Sequence, residues 1–282
     1  MVKIIADSTC DLSQEICGRY DISILPLHIL LGDEEYLDGK NITPSQIYAW
    51  SDENRTTPRT SAPSLEDAIA LLAPYVKERR KVVCFSISDE MSASGSVMRL
   101  AAGELEAEDL IHVVNSANLS TGIGLLVVEA AIMAREGADG ETIVRRMEEL
   151  KPLVRASFVV DTLVYLHRGG RCSGLAALAG GALKLHPRIM VEDGKMKPGK
   201  KYRGNINKVI MSYATDMEED LKRAKKDRVF ITHSACDTAV VEEVRQYLKS
   251  LNHFDEILET MAGGVVSSHC GPGTLGVLFI EG

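Results

Sequence analysis

The chain reads as a two-domain α/β protein, on three observations. Short β-branched runs alternate with longer amphipathic segments through the first half, which predicts parallel strands joined by helices. Beyond about residue 155 the pattern changes to a hairpin plus helices, the mark of a mixed sheet. A length of 282 residues at 45% apolar and 26% charged suits about two ordinary domains and excludes wholesale disorder. The expected division is 1–155 and 156–282. No repeat or low-complexity linker separates the halves, so they are expected to pack tightly.

Taken in order, Val2–Ala6, Lys81–Ser86, Leu110–Asn115, Ser157–Asp161, Arg228–His233 and Leu275–Ile280 read as strands. Thr43-Pro44-Ser45-Gln46 supplies a cap, a proline at the first helical position and a capping-box glutamine. Ser64-Leu65-Glu66-Asp67 opens the next helix with acids at its positive end. Arg99–Glu108, Leu119–Glu136 and Glu141–Leu150 carry apolar residues at helical spacing. In the second half a small-residue helix is expected around Ala176–Leu183. Asp193-Gly194 between Pro187–Val191 and Met196–Pro198 signals a tight hairpin, and Asn207–Lys226 reads as one long helix. Thr260–Ile280 is free of Asp, Glu, Lys and Arg but holds five Gly and a Pro. It reads as loop followed by strand, not as a membrane helix.

Composition narrows the function. A net charge of −8 argues against a nucleic-acid-coating surface, and 5% aromatics argue against stacking platforms. Six Cys without a CxxC pair make neither a disulfide framework nor a zinc site, and they fit a reducing compartment. The N-terminus meets Asp7 too soon for a signal-peptide core, so a soluble cytoplasmic protein is expected.

Gly271-Pro272-Gly273-Thr274-Leu275-Gly276 matches GxGxxG, but it precedes a strand instead of following one. It is expected instead to be a turn where backbone approaches a ligand closely. Three polar clusters follow strands: Asp7-Ser8-Thr9, Ser86 to Ser92, and Asn115 to Asn118. Each alone is an ordinary helix cap; three at equivalent positions favour a ligand site at that edge. Thr60 and Ser61 precede the cap Ser64, and local sequence favours a turn over an anion site. No GxSxG elbow, HxH or HExxH is present, and nothing local marks Cys172 or Cys270 as reactive. His269 stands out because it lies inside the glycine-rich stretch.

Together these elements resemble the DegV family of bacterial fatty-acid-binding proteins, which includes the binding subunit of fatty acid kinase (FakB). The resemblance rests on Asp7-Ser8-Thr9, Pro26-Leu27, Thr60-Ser61-Ala62-Pro63, Ser88 through Ser94, Leu166 to Arg171, Leu185 to Gly194 and His269 to Gly276, in family order over nearly the whole chain. Ala93, Ser94, Gly95, Asn115, His186 and Cys270 depart from the family's usual residues, which bears on chain-length preference more than on binding.

The resemblance implies a DegV-type fold, with an N-terminal Rossmann-like parallel sheet, a C-terminal mixed α/β sheet domain and a ligand cleft between them. It implies a long-chain fatty acid such as palmitate, its carboxylate held by Thr60, Ser92 and His269, with Ser61, Ser88, Ser94, Gly271 and Gly273 in support. Leu163, Leu166, Leu175, Leu178 and Leu183 are expected to line the tail tunnel, or equally to be core. The protein would be a carrier in lipid transport or metabolism, without catalysis, cofactor or metal, and with at most transient membrane contact. It would present the carboxylate to an ATP-dependent kinase subunit, docked through Arg171 and Arg203. Lys195, Lys197, Lys200 and Lys201 form either a basic docking spot or a solvated hairpin. The alternative from another class is an acyl hydrolase or transferase using Ser92 and His269.

Overall fold

A computed structural model describes residues 1–170 and 185–282. Leu175, Leu178, Leu183, Arg171, Cys172 and the helix expected at Ala176–Leu183 lie outside the described residues.

The chain opens with β1 (Lys3–Asp7), α1 (Gln14–Tyr20), β2 (Ile22–Leu25), β3 (His28–Leu31), β4 (Glu34–Leu37), α2 (Pro44–Asn54), β5 (Arg59–Ser61) and α3 (Leu65–Lys77). It continues through β6 (Val82–Ser86), α4 (Ser94–Glu104), β7 (Ile111–Asn115), α5 (Thr121–Arg135) and α6 (Gly140–Leu150). Then come β8 (Val154–Val159), α7 (Val164–Arg168), β9 (Leu185–Glu192), β10 (Lys195–Arg203), α8 (Ile206–Asp216) and α9 (Glu218–Lys222). The last elements are β11 (Arg228–Ser234), α10 (Thr238–Ser250), β12 (Glu256–Met261), α11 (Gly264–Cys270) and β13 (Thr274–Ile280).

Three sheets form among the described residues. A parallel sheet in the order β2-β1-β6-β7 and a six-stranded mixed sheet in the order β10-β9-β8-β13-β11-β12 are the two main layers, so the expected α/β architecture is present. β1 and β6 are buried at every position, and their near-continuous apolar runs are what a strand covered on both faces requires. A small antiparallel sheet, β4-β3-β5, stands beside them. The short strands β2 to β5 and β12 had no clear pattern in the sequence.

Helix α5 explains how the layers join. Eleven of its residues are buried, from Thr121 through Ala134, and it packs on β1 as well as on β8 and β13. A helix apolar on all sides belongs in an interior. Gly124 lets it approach the chain after β1, because a Cβ there would stand 2.8 Å from Leu12 Cδ2 and 3.1 Å from the Cys10 carbonyl. The principal core accordingly mixes residues of both sheets, including Phe85, Val114, Phe158, Ile189, Phe230 and Leu278.

Local signals held where capping chemistry is strong. The Thr43 capping box and the Ser64 cap are formed. Asp193 and Gly194 both take positive φ and close a two-residue hairpin between β9 and β10. Two expectations are corrected. Asn207–Lys226 is not one helix: it divides at Met217 into α8 and α9. Thr260–Ile280 is not loop followed by strand, since it contains the end of β12, all of α11, and then β13. The α11 sequence, Gly-Val-Val-Ser-Ser-His-Cys, is poor in helix formers, so tertiary contacts supply what propensity does not.

Candidate functional site

The two main sheets and α11 enclose a cavity of about 280 Å³, near the lower end of the ~300–1,000 Å³ common for ligand sites. One wall comes from the loops after the parallel strands, with Ile87, Met91, Ser92 and Ala93 beyond β6 and Leu119 and Ser120 beyond β7. Its floor is one face of the mixed sheet, where alternation along β13 turns Thr274, Gly276 and Leu278 inward while Leu275, Val277 and Phe279 enter a core on the other face. Phe158 from β8 and Thr232 and Ser234 from β11 complete the floor. Leu166 of α7, Met196 of β10 and Val265, Val266 and His269 of α11 close the remaining sides.

At one corner the polar side chains converge. Pairing of β3 with β5 sets Thr60 opposite Ile29 and Ser61 opposite His28, which fixes both hydroxyl residues at the cavity wall. Thr60 Oγ1 lies 2.8 Å from His269 Nε2. Ser92 also lines the cavity, and its Oγ accepts the Ser94 N–H at 3.3 Å. No hydrogen bond joins Ser92 to His269 among the described residues. Among the described residues, no Lys or Arg lines the cavity. His233 borders the cavity too, but its Nε2 is engaged with Glu259 Oε1 at 3.2 Å.

Other expected site residues stand behind the wall. Ser94 is fully buried and donates to Asp7 Oδ2 at 2.7 Å; the same carboxyl accepts the N–H of Ile87 at 2.9 Å and of Thr9 at 3.1 Å. Burial pushes the Asp7 carboxyl above its ordinary range, against the pull of these donors. Asp7 therefore braces the Ile87–Ser94 loop from below. Ser88 donates to the Gly194 carbonyl at 2.7 Å, docking the β9–β10 hairpin and with it Met196. Neither serine lines the cavity.

Gly271 and Gly273 are not among the residues that line it, although Cys270 and Thr274 on either side of them are. Both have positive φ, and a Cβ on Gly271 would lie 2.5 Å from the Tyr165 ring; the turn is shaped for packing, with Tyr165 as the close neighbour. Leu166 reaches the cavity, whereas Leu163 is core. Cys270 lines the cavity, and burial holds its thiol at about 12, far from nucleophilic. Val265, Val266, Leu278 and Phe158 went unread because helix α11 was not foreseen and strand faces cannot be assigned to a cavity from alternation alone. On the hairpin, Lys195 pairs with Glu90, Lys197 with Glu192 and Asp193, and Lys200 with Asp216. Lys201 and Arg203 are exposed and in no ion pair among the described residues.

Among the described residues no cluster of His, Cys, Asp and Glu is arranged to hold a metal, and no helix is long and apolar enough to cross a membrane.

The profile of the family described as "Uncharacterised protein, DegV family" matches residues 1–282. A fatty acid-binding protein of Thermotoga maritima is 31% identical over 281 residues, covering 98% of this chain and 96% of that one. The structure described as fatty acid binding of a DegV family protein from Thermus thermophilus superposes with a TM-score of 0.90 at 29% identity, covering 99% of each chain. A stearic acid-binding protein from Eubacterium ventriosum gives 0.85 at 27% identity, covering 100% of this chain and 98% of that one.

Proposed function

The chain belongs to the DegV family, and from that premise we propose that it binds one long-chain fatty acid, such as palmitate, in the cavity between residues 1–155 and 156–282. The observation that carries this reading is a hydroxyl–imidazole corner, Thr60 with His269 at 2.8 Å and Ser92 nearby, opening on a cavity whose walls include Leu27, Ile87, Met91, Leu119, Val265 and Leu278. A tail of about fifteen methylenes at roughly 0.8 kcal/mol each gives ample gross binding energy before ordering costs. The carboxylate must then be hydrogen-bonded, because a bare buried charge is prohibitive. Thr60 and Ser92 supply hydroxyls, and a protonated His269 adds a charge-assisted contact.

The finer reading is a non-catalytic cytoplasmic carrier that presents the carboxylate to an ATP-dependent kinase subunit, or delivers lipid with transient membrane contact. Arg203, exposed on β10, and Arg171 are the docking residues it assigns. The test is titration of the delipidated protein with palmitate alongside an assay of acyl-ester turnover. Saturable one-to-one binding without turnover is expected. Absence of binding together with ester hydrolysis that is lost in Ser92→Ala would replace the carrier with an acyl hydrolase. Arg203→Ala is expected to leave palmitate binding unchanged and to weaken kinase docking, measured by co-sedimentation with the kinase subunit.

A further inference from the structure

Helix α11 belongs to the C-terminal half, yet the N-terminal half grips it at both ends. At its far end Thr60 meets His269. At its start, Asp11 Oδ1 accepts the Gly263 N–H at 2.8 Å and Asp38 Oδ1 accepts the Gly264 N–H at 2.7 Å. These amides have no partner within the helix, so the two carboxyls satisfy donors that would otherwise be orphaned. Both side chains are almost completely buried.

The fit depends on glycine. A Cβ on Gly264 would stand 2.6 Å from Ile29 Cδ1, 2.9 Å from Ile47 Cδ1 and 3.0 Å from Asp38 Oδ1. A Cβ on Gly263 would lie 3.2 Å from Asp11 Oδ1. The contact also reaches the cavity wall. Ser120, which lines the cavity, donates to Asp11 Oδ2 at 2.5 Å, and the Asp38 N–H donates at 2.9 Å to the carbonyl of Leu27, another lining residue.

We propose that Asp11 and Asp38 are positioning residues of the head-group site: they latch the first turn of α11 to the N-terminal half and thereby set where His269 meets Thr60. The effect on ligand rests on the fatty-acid reading above; the effect on His269 does not.

The electrostatics supply a distinguishing signature. The titratable groups that act on the pair are Asp7 and Cys10 at the end of β1 and Cys270 at the far end of α11. No Lys or Arg among the described residues pairs with either carboxyl. Burial, helped by the charges of Asp38 and Asp7, raises the Asp11 carboxyl to about 8, and burial raises Asp38 as well. An acid raised on folding contributes its full stability below its unfolded value of about 4 and loses it as pH climbs toward the folded value.

The test uses the delipidated full chain with Asp11→Ala, Asp38→Ala, Asp11→Asn and Asp38→Asn. Three readouts are taken: the His269 ring signals by ¹⁵N NMR, palmitate affinity, and the thermal midpoint from pH 5 to 8.5. The alanine variants should shift the His269 signals and weaken palmitate binding by about tenfold, the scale of one lost hydrogen bond to a charged group. The asparagine variants keep an acceptor oxygen and should restore both. The midpoint of Asp11→Asn should gain on wild type as pH rises from 5 to 8, since only wild type must ionise Asp11 there.

Unchanged His269 signals in folded alanine variants, asparagine variants as impaired as alanine, or a midpoint difference that ignores pH would each overturn the proposal. Should the alanine variants fail to fold, the asparagine spectra and the pH series decide. If wild type binds no palmitate, the fatty-acid reading falls while the His269 spectra and midpoints still judge the latch.

Discussion

Two stretches of the cavity wall are rich in hydroxyls and behave differently. On the floor, Thr232 Oγ1 is 2.6 Å from Thr121 Oγ1 and 3.0 Å from Thr260 Oγ1, and Ser234 is bonded to Tyr48 and to Ser267. Thr274 donates to the Cys270 carbonyl at 3.0 Å, and on the adjoining wall Ser120 donates to Asp11. The floor's hydroxyls are consumed inside the protein. At the corner, Thr60 meets only His269, Ser92 accepts from Ser94 and keeps its own proton uncommitted, and the Ser61 hydroxyl has no partner among the described residues. The lesson is that a wall's affinity for a polar group follows its spare hydrogen-bonding capacity, not its count of oxygens. A hydrocarbon tail can lie over the floor's committed hydroxyls at little cost, while among the described residues the uncommitted lining hydroxyls lie at the corner.

The sharpest way to break this contrast is at the corner. Thr60→Ala with Ser92→Ala removes two hydrogen bonds to a charged ligand, at roughly 1.5–3 kcal/mol each. Palmitate affinity should fall by about 10² to 10⁴, with near-ultraviolet circular dichroism unchanged. Retention at the wild-type level in the folded double variant would remove the head-group assignment.

A second test lies within one loop, two residues further on. Ser94→Ala should cost about 1–3 kcal/mol of stability, because buried Asp7 loses a donor, and should leave palmitate affinity within a few-fold. Losing that donor raises the Asp7 carboxyl further, so the stability deficit in urea titrations should grow as pH rises. The smallest effect is expected on the floor: Thr232→Val should destabilise by about 0.5–1.5 kcal/mol and leave palmitate affinity unchanged. A loss of affinity there comparable with the corner variant would erase the distinction between the two stretches.

The contrast also marks what sequence can reveal. Capping chemistry is local, so Thr43 and Ser64 were legible, as was the Asp193-Gly194 hairpin. The central parallel strands β1 and β6 were legible because burial on both faces forces apolar runs such as Val82 to Phe85. The resemblance picked out Thr60, Ser92 and His269, which the fold brings to one cavity, and named Ser88, Ser94, Gly271 and Gly273 only as support, without saying what they support. Those four are braces and packing points, a difference that lies in tertiary partners such as Asp7, Gly194 and Tyr165 and leaves no trace in local spacing. Helix α11 was missed for the same reason: its first turn is held by Asp11 and Asp38, more than 220 residues away along the chain.

The central claim is that the cavity holds one long-chain fatty acid by its carboxylate. Native mass spectrometry of the purified protein, followed by denaturation and organic extraction, tests it most directly. The account predicts a single co-purifying species of long-chain fatty acid mass, or a one-to-one complex once palmitate is added to protein that has lost its lipid. A protein that carries no lipid and takes up no added fatty acid would contradict it.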